Sequence, residues 1–156
     1  PILAEALRHS PYNVNNQRYK ALIYKIMGKT DKAINIYRHI IAHHNQSYLF
    51  TEFADLVGDT AVKTALLCRA IATQREQKFT QKARWQLANL LYTVDKARAR
   101  YELDRCMAIR KAAGFAISWQ MQNLDASLQG VEPVSEKNQR EFYRQQTLTV
   151  DKLKIY

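Results

Sequence analysis

His39, His43 and His44 place two imidazoles at i and i+4 near the end of a helical stretch, a spacing that can hold a metal ion. No Cys, Asp or Glu completes a ligand set within the same turn. These histidines therefore read as polar helix-end groups, favourably placed on the dipole when protonated, and no metal is expected. Gly28-Lys29-Thr30 has the ending of a phosphate loop, but the upstream glycine such a loop needs is Ile23 here. Glu102 and Asp104 are two residues apart, so they lie on different faces of a helix and do not make an acid/base pair. Cys68 and Cys106 have no C-x-x-C spacing and sit among apolar neighbours, as buried reduced thiols do. No nucleophile–base signature is present. The expectation is a protein without a catalytic centre or a cofactor.

Binding chemistry is better represented. Lys and Arg number 24 against 14 Asp and Glu, a net charge of +10. Residues 1–100 carry +9 of it. Arg69, Arg75, Lys78, Lys82, Arg84, Lys96, Arg98 and Arg100 fall in one third of the chain, with Trp85 and Tyr92 between them. Cations with interleaved aromatics suit an acidic peptide or a single-stranded nucleic acid. No RRM, KH or helix-turn-helix pattern accompanies them.

The elements that must carry these groups are helices. With 4 Gly and 3 Pro in 156 residues, the turns of an all-β fold are not available. Tyr19, Leu22, Ile23 and Ile26 form one apolar stripe, stopped at Gly28. Thr30 or Asp31 is placed to cap the next helix, with Ala33, Ile34, Tyr37, Ile40 and Ile41 as its stripe. Residues 48–57 form a helix closed by Gly58-Asp59, and one from about Thr60 to Gln74 follows. Lys78–Thr93 has Phe79, Ala83, Leu87, Leu90 and Leu91 on its core face. Asp95 caps a long helix that ends at Gly114. Residues 117–128 are helical, with Trp119, Met121, Leu124 and Leu128 facing in. Gly130-Val131-Glu132-Pro133 reads as a linker, and Ser135-Glu136 opens a last helix to about Gln146. The alternation of Leu148, Val150, Leu153 and Ile155 assigns no element. No apolar run is long enough for a membrane span.

Helix pairs joined by tight turns call for a self-comparison, and the best step is 34. Leu3, Ala6 and Pro11 recur as Tyr37, Ile40 and Asn45. Between them Ala21 and Ala33 are small enough for close helix approach, Gly28 turns the chain, and Tyr24 and Tyr37 fill the space between one pair and the next. Ala54, Gly58, Leu67 and Ala70 make a second pair at a step nearer 30. Leu87, Ala88, Leu91, Ala97 and Tyr101 make a third. This pattern resembles the tetratricopeptide repeat. Ala6 followed by Pro11 then looks like the end of a repeat whose first helix is absent. With Pro1 in place of Met, the expectation is a piece of a longer or processed chain.

The resemblance implies an all-α, right-handed superhelix of about three helix pairs plus C-terminal helices. Residues 1–129 would form the array, and residues 130–156 a linker and C-terminal helix that could lead into a further domain. A related helical-pair solenoid stays open. In the family, the first helices line a concave groove that holds a partner. Its lining here would be Asn15, Arg18, Leu22 and Lys25, then Glu52 and Asp55, then Lys82, Trp85, Asn89 and Tyr92. Packing between helices falls to Ala6, Pro11, Ala21, Tyr24, Gly28, Ala33, Tyr37 and Ala88. The family's best-known carboxylate-binding version needs Asn where Leu22 stands, so a chain-terminal carboxylate is not the expected ligand. The expected function is a cytoplasmic, non-catalytic scaffold that binds a protein or peptide, acidic ones included. The alternatives are a single-stranded nucleic-acid module and a homodimer closed through apolar Ile2, Leu3 and Leu7 of the truncated repeat.

Overall fold

The computed structural model describes residues 13–156. Ile2, Leu3, Ala6, Leu7 and Pro11 lie outside the described residues. Those described form an all-α protein of eight α-helices and one 3-10 turn, with no strand among them. The helices are α1 Val14–Ile26, α2 Thr30–His43, α3 Ser47–Ala54, α4 Thr60–Thr73, α5 Gln81–Leu91, α6 Lys96–Ala112, α7 Trp119–Ser127 and α8 Glu136–Leu153. The 3-10 turn, Gln77–Thr80, leads into α5.

Capping residues fix most of the boundaries. Asn13 accepts the backbone N–H of Asn15 and Asn16, Asp59 that of Val62, Asp95 that of Arg98, Ser118 that of Met121, and Ser135 that of Asn138. Each such cap is worth about 1 kcal/mol. The α1–α2 turn differs from its sequence reading. Neither Thr30 nor Asp31 caps α2; the cap position is Lys29, without a side-chain bond. Gly28, at φ +77°, lets the N–H of Lys29 reach back to the Tyr24 carbonyl at 2.8 Å, so Thr30 is already helical. Asp31, in the first turn, still complements the dipole. Gly114 ends α6 in the same left-handed conformation, as expected.

Consecutive helices pair: α1 with α2, α3 with α4, and α5 with α6. Each pair packs on the next through α2 against α3 and α4 against α5. Fully buried Leu49, Phe50, Phe53, Leu66, Leu67, Leu87 and Leu103 form the core of the second and third pairs, and Ala33, Ile40 and Ile41 of α2 continue it into the first. Ala21, Ala33 and Ala88 sit in it with almost no exposed surface, which lets neighbouring helices approach closely. Gln17, half-buried on α1, is followed by an apolar stripe that does not reach this core. Tyr19, Leu22, Ile23 and Ile26 are exposed, Ile26 to 77%, because α1 is the outermost described helix and packs chiefly on α2 through Ala21.

Phe79 and Trp119 also face solvent rather than the core. Phe79 lies in the 3-10 turn, out of phase with the α5 stripe, and Trp119 is the first residue of α7. Cys68 and Cys106 are buried free thiols, and burial pushes the Cys68 thiol well up.

The last helix runs on past Gln146 to Leu153, taking in most of the segment that alternation left unassigned. Its 18 residues span about 27 Å, enough to cross three packed helices. It does so. At its start the N–H of Val134 bonds to the Ala97 carbonyl at the head of α6. Its middle packs along α4. At its end the Ile155 N–H bonds to the Arg38 carbonyl of α2 at 3.0 Å, and Arg38 Nε donates to the Leu153 carbonyl at 2.7 Å. The segment 130–156 therefore returns across the second helices of all three pairs.

Candidate functional site

The first helices α1, α3 and α5 carry the residues expected in the groove. Arg18, Leu22 and Lys25 of α1 and Glu52 of α3, with Asp55 just past its end, line one hollow of about 230 Å³. Leu56, Tyr19 and Tyr37 complete its wall. The hollow is crossed by an ion pair. Arg18 Nε donates to Glu52 Oε2 at 3.0 Å, and a second guanidinium nitrogen contacts Oε1. Tyr37 of α2 donates its hydroxyl to the same carboxylate at 2.5 Å and stacks on Phe53, ring centroids 5.8 Å apart. Arg18 also lies over the Tyr48 ring at 4.6 Å and donates to the Asn15 side chain. Burial, then the Glu52 bond, pushes the Tyr37 phenol well above its usual range.

The ladder continues to α5. Asp55 accepts from Lys82 Nζ and from Gln86 Nε2, both at 3.3 Å. Cations on α1 and α5 thus flank carboxylates on and just beyond α3, and the two pairs cancel. Lys25 is left without a carboxylate partner among the described residues. The remaining expected groove residues are less free. Trp85 is half-buried against the core. Asn89 spends an amide N–H on the Trp85 carbonyl at 2.8 Å. The half-buried Tyr92 ring lies under Lys96 at 3.9 Å. Tyr24, also half-buried, is flanked by Lys32 and Lys20.

The basic cluster between Arg69 and Arg100 is largely consumed inside the fold. Arg84 is 4% exposed and Glu102 is fully buried; they face each other at 3.1 Å. Arg84 also bonds Thr80 Oγ1 and Gln77 Oε1, both at 2.9 Å, while Glu102 accepts from Tyr143 and Gln139 of α8. Burial pushes the Glu102 carboxyl up, and the Arg84 charge with these hydrogen bonds opposes it. Arg98 bridges Asp95 and Gln139, and Arg100 is clasped by Asp104 and Asp125. Arg69 reaches Asn45 and Thr147. Arg75 and Lys78 stay exposed.

His39 and His43 line a hollow on α2 with Val14, Ile36, Ile40 and Tyr156; His43 meets the Tyr156 ring edge-on. Among the described residues, no group of three His, Cys, Asp or Glu side chains converges as metal ligands do. No described helix is long and apolar enough to cross a membrane.

Sequence reasoning missed Tyr48, Leu56 and Gln86 as neighbours of the groove. It also missed the pairing of Arg84 with Glu102, although a signal existed. Arg84 falls in phase with Leu87 and Leu91, and Glu102 sits beside Leu103 on the stripe of Ala99 and Cys106. Opposite charges on two facing core stripes require each other.

No curated protein and no solved structure matches this chain. A family model described as a domain of unknown function, DUF7017, matches residues 17–149. That stretch runs from within α1 through most of α8, including both ends of the charge ladder and the buried arginine. The chain belongs to the DUF7017 family of domains of unknown function.

Proposed function

We propose that this domain is a non-catalytic interaction module, a tetratricopeptide-like right-handed superhelix that holds an extended peptide or a helix of a partner along α1, α3 and α5. The observation that carries this reading is the shared hollow. Five of the residues expected in a groove, on α1, on α3 and just past the end of α3, border one 230 Å³ space. Its shape is maintained without a partner, because Arg18, Glu52 and Tyr37 hold α1, α2 and α3 to one another. A preformed groove leaves the partner to bear most of the ordering cost.

The chemistry of the lining narrows the partner. Arg18 and Lys82 are already neutralised, so they add little attraction for an acidic chain. Leu22, half exposed, and Leu56 offer an apolar seat. Lys25, which has no carboxylate partner among the described residues, adds a cation beside it. A peptide with an apolar anchor and a single carboxylate a few residues away fits best. A displayed library of random peptides panned against the domain tests this. Enriched sequences should pair an apolar residue with an acidic one, and Leu22→Ala with Lys25→Ala should weaken them about tenfold or more. Peptides that bind this double variant unchanged would place the interaction elsewhere.

A further inference from the structure

A further hollow, about 380 Å³, opens where α8 crosses α4 and α6. It shares no residue with the groove. Four arginines border it: Arg84, Arg105, Arg140 and Arg144. The lining contains one carboxylate, Glu136.

The four differ in what already holds them. Arg84 forms the floor and is saturated by Glu102, Tyr143, Thr80 and Gln77. Arg140 is paired with Glu136 and Arg144 with Glu141, in both cases on the same helix and with both side chains more than half exposed. Exposed pairs of this kind contribute little, so a better acceptor can replace them at small cost. Arg105, on α6, has no carboxylate partner among the described residues. Tyr101, one turn earlier on α6, adds a phenol to the lining. Burial pushes that phenol up, so it remains a donor.

Guanidiniums from α6 and α8 thus border one concave space with a single carboxylate between them. The space is wider than a single oxyanion needs, and cations reach it from two helices at once. We infer that this cleft is a binding site for a compact oligophosphate, free or as the tail of a nucleotide, held by Arg105, Arg140 and Arg144. Planar guanidiniums match such a ligand by forked hydrogen bonds, and one chain of three phosphates can meet all three. Because the cleft lies between α8 and α6, the ligand would tie the crossing helix to the stack.

The test uses the whole domain at constant ionic strength, with sodium tripolyphosphate, a nucleoside triphosphate and sulfate as probes. Tripolyphosphate at about 100 times its Kd should raise Tm by roughly 5–10 °C. Sulfate at the same ionic strength should not. Arg105→Gln, at an exposed position with no carboxylate partner among the described residues, should fold normally and weaken tripolyphosphate about tenfold, and Arg140→Gln with Arg144→Gln should weaken it further. Leu22→Ala in the groove should change nothing. Equal affinity for both oligophosphates assigns the ligand to phosphate alone; tighter nucleoside triphosphate assigns the rest of the cleft to the base. Sulfate and tripolyphosphate acting alike, or binding unchanged in the triple variant, would overturn the site. So would a single-stranded RNA decamer that binds more tightly than tripolyphosphate and displaces it, which would point to a tracking surface for nucleic acid.

Discussion

Arg18 and Glu52 stand 34 positions apart and form a forked ion pair between successive first helices. The separation equals the 34-residue step expected from the sequence, and the ion pair joins the second turn of α1 to the second turn of α3. Its partner relationship one hairpin on is Asp55 with Lys82, 27 positions apart. The separation is shorter because Asp55 lies just past the end of α3 and Lys82 is the second residue of α5.

The two sides of the first pair are not equivalent. Arg18→Ala should cost about 1 kcal/mol or less, because both side chains are about a third exposed. Glu52→Ala should cost about 1–2 kcal/mol, since it removes the acceptor of both Arg18 and the buried Tyr37 hydroxyl. Urea unfolding of the two variants checks the order. Equal losses would mean that Tyr37 contributes nothing through Glu52.

The buried pair behaves differently. Glu102→Ala leaves the Arg84 guanidinium uncompensated in the core and should cost about 3–5 kcal/mol. Replacing both, Arg84→Met with Glu102→Leu, should cost clearly less than Glu102→Ala alone, because no unpaired charge remains. Chemical denaturation of the single and double variants measures the difference. A double variant that is less stable than the single one would show that the hydrogen bonds to Tyr143 and Gln139 matter more than charge balance.

High pH should loosen the fold through its tyrosines. Tyr37 and Tyr143 both have phenols raised well above the usual 10.0 by burial and by their carboxylate acceptors. In the unfolded chain they ionise near that ordinary value. The stability they provide is therefore complete below about pH 10 and is lost as pH rises from there toward the folded values. Each should contribute a slope of about 1.4 kcal/mol per pH unit in that window. Tyr37→Phe should show a shallower decline between pH 10 and 11 than the parent protein. Identical slopes would refute the assignment.

The crossing helix should be integral to stability. Val150 is fully buried near the end of α8, where that helix approaches α2. Val150→Ala should cost about 1–2 kcal/mol, from two lost methyl groups and the space they leave. Exposed Leu148→Ala should cost under about 0.5 kcal/mol. Thermal unfolding of the two separates them, and similar small losses would mean that α8 is loosely attached.

Much of this was legible in the residues. The cap at Asp95, the opening at Ser135 and the stops at Gly28 and Gly114 were visible because each is a local rule of backbone geometry, whereas Asp59, read as the close of one helix, caps the next. The stripe of Leu87 and Leu91 was visible because its period is helical. The return of α8 was not. Nothing local to Leu148 or Val150 says which distant helix they meet, and a Gln- and Arg-rich helix looks solvent-facing. Its inward side is Gln139, Tyr143 and Val150, polar where it meets Glu102 and apolar only beyond. That Arg18 and Glu52 would face one space was an expectation of the resemblance, and they line one hollow. That their charges cancel was not expected, because ion pairing depends on the distance between helices. Ile26 and Tyr19 looked like core by period alone, and period cannot show whether a neighbour exists to cover them.

The groove itself is tested most directly by titrating a library-selected peptide into the parent domain, the Leu22→Ala/Lys25→Ala variant and the Arg105→Gln variant, with circular dichroism confirming equal helicity. The expected result is binding about tenfold or more weaker in the first variant and unchanged in the second. Equal affinity for all three proteins would contradict the role assigned to α1 and α3.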